Sequence, residues 1–318
     1  MGTNGSNGNA RGRLWAITCY FNPAGYRRRL ENYRVFRRHL ATPLVTVELS
    51  HGTGFDLAPG DADVLIQLTS PHVLWQKERL LNVALKHLPA ECDQVAWLDC
   101  DVVFASDEWI AQASRALETH ALIEPFKQVY ELEPDADVAT AAEGAAYLRG
   151  YSLAHVLAEG QAPADLMRGG MRLKHACNCG TAWAARREAL ERCGFYDACI
   201  IGSGNRAMAC AALGRTRDAV QGLRMNAAQE RHYLDWAAAG APSLGQDIGY
   251  IDQTVYHLWH GDLADRGYTR RHEEFEQFAF DPYRDVALDD NACWRWNSDK
   301  PRMHAYVRDY FHARREDG

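Results

Sequence analysis

Apolar and polar positions alternate in blocks along the first third of the chain. Four apolar runs of strand length occupy residues 14–20, 44–49, 64–68 and 95–98. Between them, apolar residues recur every three or four positions, which predicts one helix over residues 26–40 and another from Pro71 to about Leu88. Strands that alternate with helices in this way predict an α/β fold with a mainly parallel sheet flanked by helices.

The rest of the chain is less regular. Residues 1–12 are rich in Gly and Asn and predict a disordered leader. Residues 127–175 are rich in Ala, Gly and Glu, and we interpret them as an insertion that shapes a substrate pocket. The later segments predict helices near 141–159, over 182–192 and over 207–213, and a strand over 249–259.

Composition indicates an ordinary globular enzyme. The 318 residues are 47% apolar and 24% charged, and their net charge of −7 argues against a general nucleic-acid binder. No apolar run in the sequence approaches the roughly 20 residues that span a bilayer. The nine cysteines show no framework spacing, which predicts reduced thiols and a cytoplasmic protein. His175, Cys177 and Cys179 could form half of a zinc site, but no second cysteine pair follows at ligand spacing, so buried or loop thiols are the better interpretation.

The most informative motif is Asp99-Cys100-Asp101, which directly follows the apolar run over residues 95–98. Ionised aspartates are costly beside a core strand unless a cation neutralises them. Two carboxylates at the end of a strand therefore predict a divalent metal with oxygen ligands, Mn²⁺ or Mg²⁺, whose usual cargo is a diphosphate. The alternative is a pair of solvated turn aspartates.

Two other segments offer partners for such a metal or its cargo. Lys77 lies on the inward stripe of the helix that begins at Pro71 and needs a counter-charge, unless it extends to solvent. His257 and His260 are further candidate ligands. In an extended segment, side chains three positions apart point to opposite faces, so we expect only one of the two to reach the aspartates. Ordinary core or surface histidines are the alternative.

A basic, aromatic run and a glycine-rich turn complete the candidates. Arg266, Tyr268, Arg270 and Arg271 suit a mobile loop that closes on phosphate. Residues 202–206, Gly-Ser-Gly-Asn-Arg, form a tight turn before a helix and could bind an anion. The turn lacks the lysine and the length of a P-loop, which argues against nucleotide triphosphate hydrolysis.

Together these segments resemble the metal-dependent GT-A glycosyltransferases, in particular their galactosyltransferase-like branch. The similar blocks are residues 75–83 with 97–102, residues 180–183 with 193–197 and 202–204, and residues 257–261 with Arg266 and Tyr268. The resemblance covers roughly residues 14–125 and 178–272, and the predicted insertion has no counterpart in it.

The resemblance implies one GT-A domain, Rossmann-like, with a nucleotide-sugar-binding half over residues 13–125 and an acceptor-binding half over 126–318. It implies transfer of a sugar from a nucleoside diphosphate donor, a UDP-sugar, to an acceptor hydroxyl with Mn²⁺ or Mg²⁺. The acceptor could be a glycan, lipid-linked sugar, small molecule, peptide or modified nucleobase. The implied metal ligands are Asp99, Asp101 and one of His257 and His260. The implied donor-binding residues are Thr18, Tyr20, Asn22 and Glu48 for base and ribose, Lys77, Arg79 and Asn82 for phosphate, and Asp99, Cys100, Gly180, Trp183, Arg266 and Tyr268.

One departure from the family pattern concerns the base that deprotonates the acceptor. The turn over residues 202–206 usually ends in a carboxylate, but here the position holds Asn205, which cannot accept a proton. Natural loss of activity, an engineered Asp→Asn change, or a base elsewhere such as Asp197 are the three explanations. A non-catalytic nucleotide-sugar binder is therefore one alternative function. A sugar-phosphate nucleotidyltransferase is another, although residues 19–25 lack the Gly-rich, basic loop of that class.

Overall fold

The computed structural model describes residues 14–52, 54–141, 144–161, 177–268 and 270–318. The predicted leader, His175 and the last part of the predicted insertion lie outside the described residues.

The strands are β1 (Leu14–Phe21), β2 (Leu44–Ser50), β3 (Val64–Thr69), β4 (Gln94–Leu98), β5 (Val102–Phe104), β6 (Leu122–Glu124), β7 (Gln128–Leu132), β8 (Ala146–Ser152), β9 (Cys177–Asn178), β10 (Ala182–Arg186), β11 (Ile248–Tyr250), β12 (Thr254–His257), β13 (Val286–Leu288) and β14 (Trp294–Trp296). The α-helices are α1 (Arg27–Arg38), α2 (Lys77–Leu85), α3 (Glu108–Thr119), α4 (Leu153–Ala158), α5 (Arg187–Cys193), α6 (Gly204–Ala212), α7 (Thr216–Gly222), α8 (Ala227–Gly240), α9 (Arg270–Phe275) and α10 (Pro301–Ala313). Short 3₁₀ helices cover Ala241–Leu244, Leu263–Arg266 and Glu276–Phe278. No described helix combines the length and the apolar character that crossing a bilayer requires.

The main sheet has seven strands in the order β11-β6-β10-β4-β1-β2-β3. Its neighbouring strands run parallel, except that β10 runs antiparallel to β4 and β6. Helices cover both faces of this sheet. On one face α2, α6 and α8 bury Leu81, Met208 and Tyr233, and on the other α1 and α3 bury Tyr33 and Trp109. The predicted α/β class, a mainly parallel sheet flanked by helices, is confirmed.

A second sheet has the strand order β5-β12-β7-β8-β9. Residues 99–101 connect β4 of the main sheet to β5 of the second sheet, so the Asp99-Cys100-Asp101 motif lies where the two sheets meet. Strands β7 and β8 come from the segment that we interpreted as an insertion, and β7 pairs with β12 in parallel. That segment thus builds part of the wall beside the motif.

Two predicted helices are partly strands. Residues 182–186 form β10 because they are buried between β4 and β6, where sheet hydrogen bonds override the helical preference of alanine. The predicted helix near 141–159 is instead β8 followed by α4, since β8 pairs with β7.

Two other elements have different bounds from those predicted. Helix α2 begins at Lys77 rather than Pro71, because contacts with the C-terminal half hold the preceding residues outside the helix. The Trp75 N–H donates to the Ile200 carbonyl at 3.0 Å, and the Gln76 side chain bonds with the backbone N–H and carbonyl of Trp294. The predicted strand over 249–259 is divided between β11 in the main sheet and β12 in the second.

We expect Gly240→Ala to destabilise the fold. A Cβ at this position in α8 would overlap the Cα and Cβ of Cys193 in α5, so the two helices would have to separate. Overpacking of this kind typically costs about 1–3 kcal/mol of unfolding free energy. Urea denaturation measures the change. Gly52→Ala is the control because a Cβ there meets no atom within 4 Å. Equal stability of the two variants would contradict this packing.

Candidate functional site

The candidate site lies at the carboxyl ends of the parallel strands. Strand β4 is buried along its whole length and ends at Leu98, so the aspartates of the motif emerge at the sheet edge. The N–H of Asp99 donates to the Thr181 carbonyl at 2.8 Å, which fixes the start of the turn. In open α/β sheets this edge is where ligands bind.

Asp101, His257 and His260 form a group whose ligand atoms all lie within 4.8 Å of one another. The His260 Nε2 is 3.0 Å from one carboxylate oxygen of Asp101, and the His257 Nε2 is 3.7 Å from the other. The Asp101 Oδ1 and both ring nitrogens of His260 are buried without a well-formed hydrogen bond. The ligand atoms of the three residues converge, and the unsatisfied Asp101 Oδ1 and His260 Nε2 are among them, which fits a divalent metal ion.

The expectation that only one histidine reaches Asp101 is wrong. Strand β12 ends at His257, and the chain then turns, with the Leu258 N–H donating to the Asp101 carbonyl at 2.8 Å. The alternation of side chains holds only within an extended strand, so the turn brings His260 to the same side as His257.

A glutamate stands behind each histidine. The His257 Nδ1 is 2.9 Å from Glu131 of β7, and the His260 Nδ1 is 3.3 Å from Glu316 near the C-terminus. Both glutamates are themselves held by arginines: Arg149 bonds Glu131 at 2.8 Å, and Arg29 bonds Glu316 at 2.9 Å. Carboxylates in this position orient imidazoles and raise their basicity as metal ligands.

Sequence reasoning missed both glutamates. Glu131 occupies a buried position of β7, and a charged residue at an inward position of an apolar strand is the signal that could have found it. Glu316 belongs to the charged C-terminal sequence Arg-Arg-Glu-Asp over residues 314–317, which reads as a solvated tail. No local pattern distinguishes it from its neighbours.

The protonation states of the cluster suit metal binding. Burial alone would raise the pKa of Asp101, but His257, His260 and Arg266 hold it well below its usual range. Burial lowers the pKa of His257 despite the nearby Glu131. An ionised carboxylate and a neutral imidazole at neutral pH are the forms that bind a metal.

Asp99 is not part of the three-residue cluster. It forms an ion pair with Lys77 at the start of α2, and its side chain is 30% exposed. Lys77 thus has the counter-charge that its inward position requires. Within the motif, Asp101 faces the histidines and Asp99 faces α2 and solvent.

Arg266 and Tyr268 lie beside the cluster, in a region where arginine side chains supply positive charge. Arg266 is 3% exposed, and its Nη1 donates to the Tyr268 hydroxyl at 3.3 Å, while its Nε and Nη2 are buried without a partner. Burial would raise the pKa of Tyr268, but Arg266, Arg149 and Arg314 lower it to about 8. Unpaired buried guanidinium groups of this kind suit an anionic ligand.

The segment that we predicted to close over phosphate is packed against the C-terminal region. Gly261 has a φ of +86°, and a Cβ there would crowd the carbonyls of Arg314 and Arg315. Farther along, the Arg271 guanidinium donates to the Ser203 hydroxyl and to the Tyr310 hydroxyl. Movement of this segment stays a prediction.

The residues predicted for base and ribose bond within the protein. The Thr18 hydroxyl donates to the Leu98 carbonyl at 2.7 Å, and the Tyr20 hydroxyl donates to Asp56 at 2.8 Å. Asn22 bonds the Tyr26 backbone, and Glu48 accepts from the N–H groups of Asp56 and Leu57. These side chains shape the sheet edge and the loop beside it, and their contact with a nucleotide stays a prediction.

Arg79 and Asn82 point away from the Lys77 and Asp99 pair. Arg79 forms an ion pair with Asp197 at 3.0 Å, and Asn82 donates to Asp197 at 3.1 Å and to the Phe195 carbonyl at 2.9 Å. Both residues line a cavity of about 330 Å³ between α2 and α5. Asp197, the alternative candidate for the base, thus forms an ion pair with Arg79.

Three further predicted donor-binding residues lie near the motif. The Cys100 side chain is buried in the core on the α1 and α3 face, and Trp183 is 2% exposed and stacks on Trp97 with ring centroids 6.2 Å apart. Gly180 precedes Thr181, whose φ of +74° is a left-handed conformation that a β-branched residue rarely adopts. Backbone strain of this kind beside a candidate site commonly has a functional reason.

Asn205 lies in the first turn of α6. Its side-chain oxygen is buried without a hydrogen-bond partner. The preceding Ser203 has a φ of +82°, and its hydroxyl lies 3.0 Å from the His272 Nε2. The turn therefore presents an unused acceptor atom at Asn205.

No protein-family model matches this sequence, and comparison with curated proteins finds no match. Among solved structures, the chain is distantly similar to S. aureus TarS 1–349 in complex with UDP-GlcNAc (10% identity, TM-score 0.36, covering 79% of this chain and 59% of that chain). It is similar at the same level to glucosyl-3-phosphoglycerate synthase from Mycobacterium tuberculosis in complex with Mn²⁺, UDP and phosphoglyceric acid (14% identity, TM-score 0.37, covering 88% of this chain and 82% of that chain). A third similar structure is the catalytic domain of Drosophila β1,4-galactosyltransferase 7 (10% identity, TM-score 0.36, covering 92% of this chain and 97% of that chain). The chain thus spans about three-fifths of the TarS fragment.

We expect Glu316→Ala to destabilise the protein strongly. Its removal leaves Arg29, Arg314 and His260 without the buried carboxylate that they share. Breaking one partner out of a buried ion pair typically costs about 3–5 kcal/mol of unfolding free energy. Urea denaturation measures the loss.

The control is Asp309→Ala, which removes a carboxylate paired with its exposed neighbour Arg308 in α10. Surface pairs are worth about 1 kcal/mol or less. If both variants lose the same small amount, Glu316 does not anchor the C-terminus to the site.

Proposed function

We propose that this chain is a metal-dependent glycosyltransferase of the GT-A type, which transfers a sugar from a UDP-sugar to an acceptor hydroxyl. The observation that carries the proposal is the cluster of Asp101, His257 and His260 beside Arg266, two of whose guanidinium nitrogens have no partner, at the carboxyl edge of a mainly parallel sheet. A metal site next to a cationic group suits a nucleoside diphosphate.

In this proposal Asp101, His257 and His260 hold the metal. A bound divalent ion supplies Lewis-acid stabilisation of the charge on the leaving diphosphate. Two imidazole ligands favour Mn²⁺ over Mg²⁺, because Mg²⁺ prefers oxygen donors. Arg266 donates hydrogen bonds to diphosphate oxygens, and Asp99 and Lys77 face the donor from the other end of the motif.

A non-catalytic nucleotide-sugar binder is the second candidate, because Asn205 stands where the resemblance implies a carboxylate. Turnover separates the two functions. An enzyme releases UDP from a UDP-sugar in the presence of Mn²⁺ and an acceptor, whereas a binder retains the donor intact.

We expect UDP binding that depends on the metal and on Asp101. Calorimetry with Mn²⁺ should detect binding that disappears with EDTA. Loss of a group that hydrogen-bonds to a metal ligand typically lowers metal affinity about 10- to 100-fold. Because Asp101 is itself a proposed ligand, Asp101→Asn should lower the affinity for UDP in the presence of Mn²⁺ by more than this. Asp290→Asn is the control, since Asp290 is exposed. UDP binding of equal strength in EDTA would contradict the proposal.

We also expect residues 261–271 to gain protection from hydrogen exchange when Mn²⁺ and UDP bind. Arg266 has two unpaired nitrogens that the diphosphate would engage, and loops of this type exclude water in transferases. Helix α3 is the internal control, because it carries none of the candidate site residues. Unchanged exchange over 261–271 in the nucleotide complex would remove this segment from the proposal.

A further inference from the structure

The proposed reaction needs a group that accepts the proton of the acceptor hydroxyl. Asn205 cannot do so, and Asp197 is held in its ion pair with Arg79. The carboxyl group of Glu78 lies next to the turn at 202–205.

Glu78 lies against this turn from the opposite helix. It is the second residue of α2 and is 4% exposed. A Cβ at Gly204 would overlap the carboxyl carbon and one carboxyl oxygen of Glu78, so the carboxyl group rests directly on the backbone of the residue before Asn205. A glycine at 204 leaves the space that this carboxyl occupies.

The Glu78 carboxyl forms no ion pair with another described residue. Its neighbours in α2, Lys77 and Arg79, are paired with Asp99 and Asp197, whereas Glu78 forms no ion pair within the described part of the chain. Buried carboxyl groups in proteins normally have a partner. The Glu78 carboxyl accepts a hydrogen bond from its own backbone N–H in the first turn of α2 and has no cationic partner of its own, which leaves it able to take a proton from a bound substrate.

We propose that Glu78, rather than Asn205, is the general base of this enzyme, an inference that rests on the proposed function. The acceptor O–H bond breaks and its proton passes to a carboxylate oxygen of Glu78. The acceptor oxygen forms a bond to the anomeric carbon of the donor sugar. The bond from that carbon to the diphosphate breaks, and its electron pair leaves on the diphosphate oxygen. The free amide oxygen of Asn205 accepts a hydrogen bond from another polar group of the acceptor.

The surroundings of Glu78 favour proton transfer near neutral pH. Burial, together with Asp99 and Asp197, raises the pKa of Glu78 to about 7, although Lys77 and the hydrogen bond from its own backbone N–H lower it. The other titratable groups that face it are the thiols of Cys199 and of Cys19 in β1. A base works best when its pKa lies near the working pH. Because the base must be ionised, turnover should fall as the pH decreases through about 7.

The test measures UDP release from UDP-glucose, UDP-galactose and UDP-GlcNAc, with Mn²⁺ and with water, free sugars or a serine peptide as acceptor. Glu78→Gln should lower kcat by about 10²- to 10⁴-fold, the usual effect of losing a positioned base. Its affinity for UDP, measured by calorimetry, should stay within about twofold. Glu91→Gln is the control because Glu91 is exposed beyond the end of α2.

A second variant tests the position of the base. The change is Asn205→Asp. In the Glu78→Gln background the same change should restore much of the rate, because the new carboxylate lies one residue from Gly204. The acid limb near pH 7 should then shift, because a different carboxyl group in different surroundings now accepts the proton.

Each other outcome rejects the assignment. A Glu78→Gln variant with unchanged kcat, or one that loses UDP affinity together with turnover, shows that Glu78 is not the base. A large gain of rate in Asn205→Asp alone shows that the chain lacks a base. If UDP binds with Mn²⁺ but the wild type releases no UDP, the chain is a binder and the base assignment fails. Absence of metal-dependent UDP binding, or of UDP release by the wild type, rejects the proposed function itself, whereas unchanged kcat in Glu78→Gln with an active wild type rejects only the base assignment.

Discussion

The burial of one carboxylate governs the arrangement of this site. Asp101 lies at the junction of two sheets, where an ionised group is stable only beside compensating charge or hydrogen-bond donors. The histidines meet that need in part, and each histidine in turn requires a glutamate behind it. Those glutamates are buried as well and need arginines. Neutralising Asp101 therefore propagates outward through three layers of polar residues.

This chain of charges joins parts of the protein that are far apart in sequence. Glu131 comes from β7, the histidines from β12 and the turn after it, and Glu316 from the last residues of the chain. Arg29 belongs to α1, so the network also reaches the first helix of the main sheet. A site built in this way forms only when the second sheet and the C-terminal segment are both docked correctly.

The sequence predicted what depends on local pattern. The apolar run before Asp99 identifies a buried strand and places the motif at its end, and the parallel sheet follows from the alternation of elements. Predictions from the sequence were wrong where tertiary pairing determines the local structure. Strand β10 is alanine-rich yet lies between two strands, and the segment after His257 turns although its residues suit a strand. Glu316 could not be predicted, because its partners Arg29 and His260 become neighbours only in the folded chain. The roles of the nucleotide-binding residues stay predictions for the same reason, since a ligand defines them.

The proposed role of Glu78 rests on tertiary packing rather than on the sequence of the turn. Glu78 lies against Gly204, the residue before Asn205, although three of the seven strands of the main sheet separate α2 from α6 in the sequence. A local comparison of the turn alone would suggest an inactive protein. The packing of α2 against α6 instead places a carboxyl group beside it.

The central claim is that Asp101, His257 and His260 bind a divalent metal. Crystals grown with Mn²⁺ and UDP, with diffraction recorded at a wavelength where manganese scatters anomalously, test it most directly. The account predicts a single strong anomalous peak within about 2.4 Å of one oxygen of Asp101 and of the Nε2 atoms of both histidines, with UDP phosphate oxygens completing the coordination. A peak elsewhere, or bound UDP with no peak at these three residues, would contradict it.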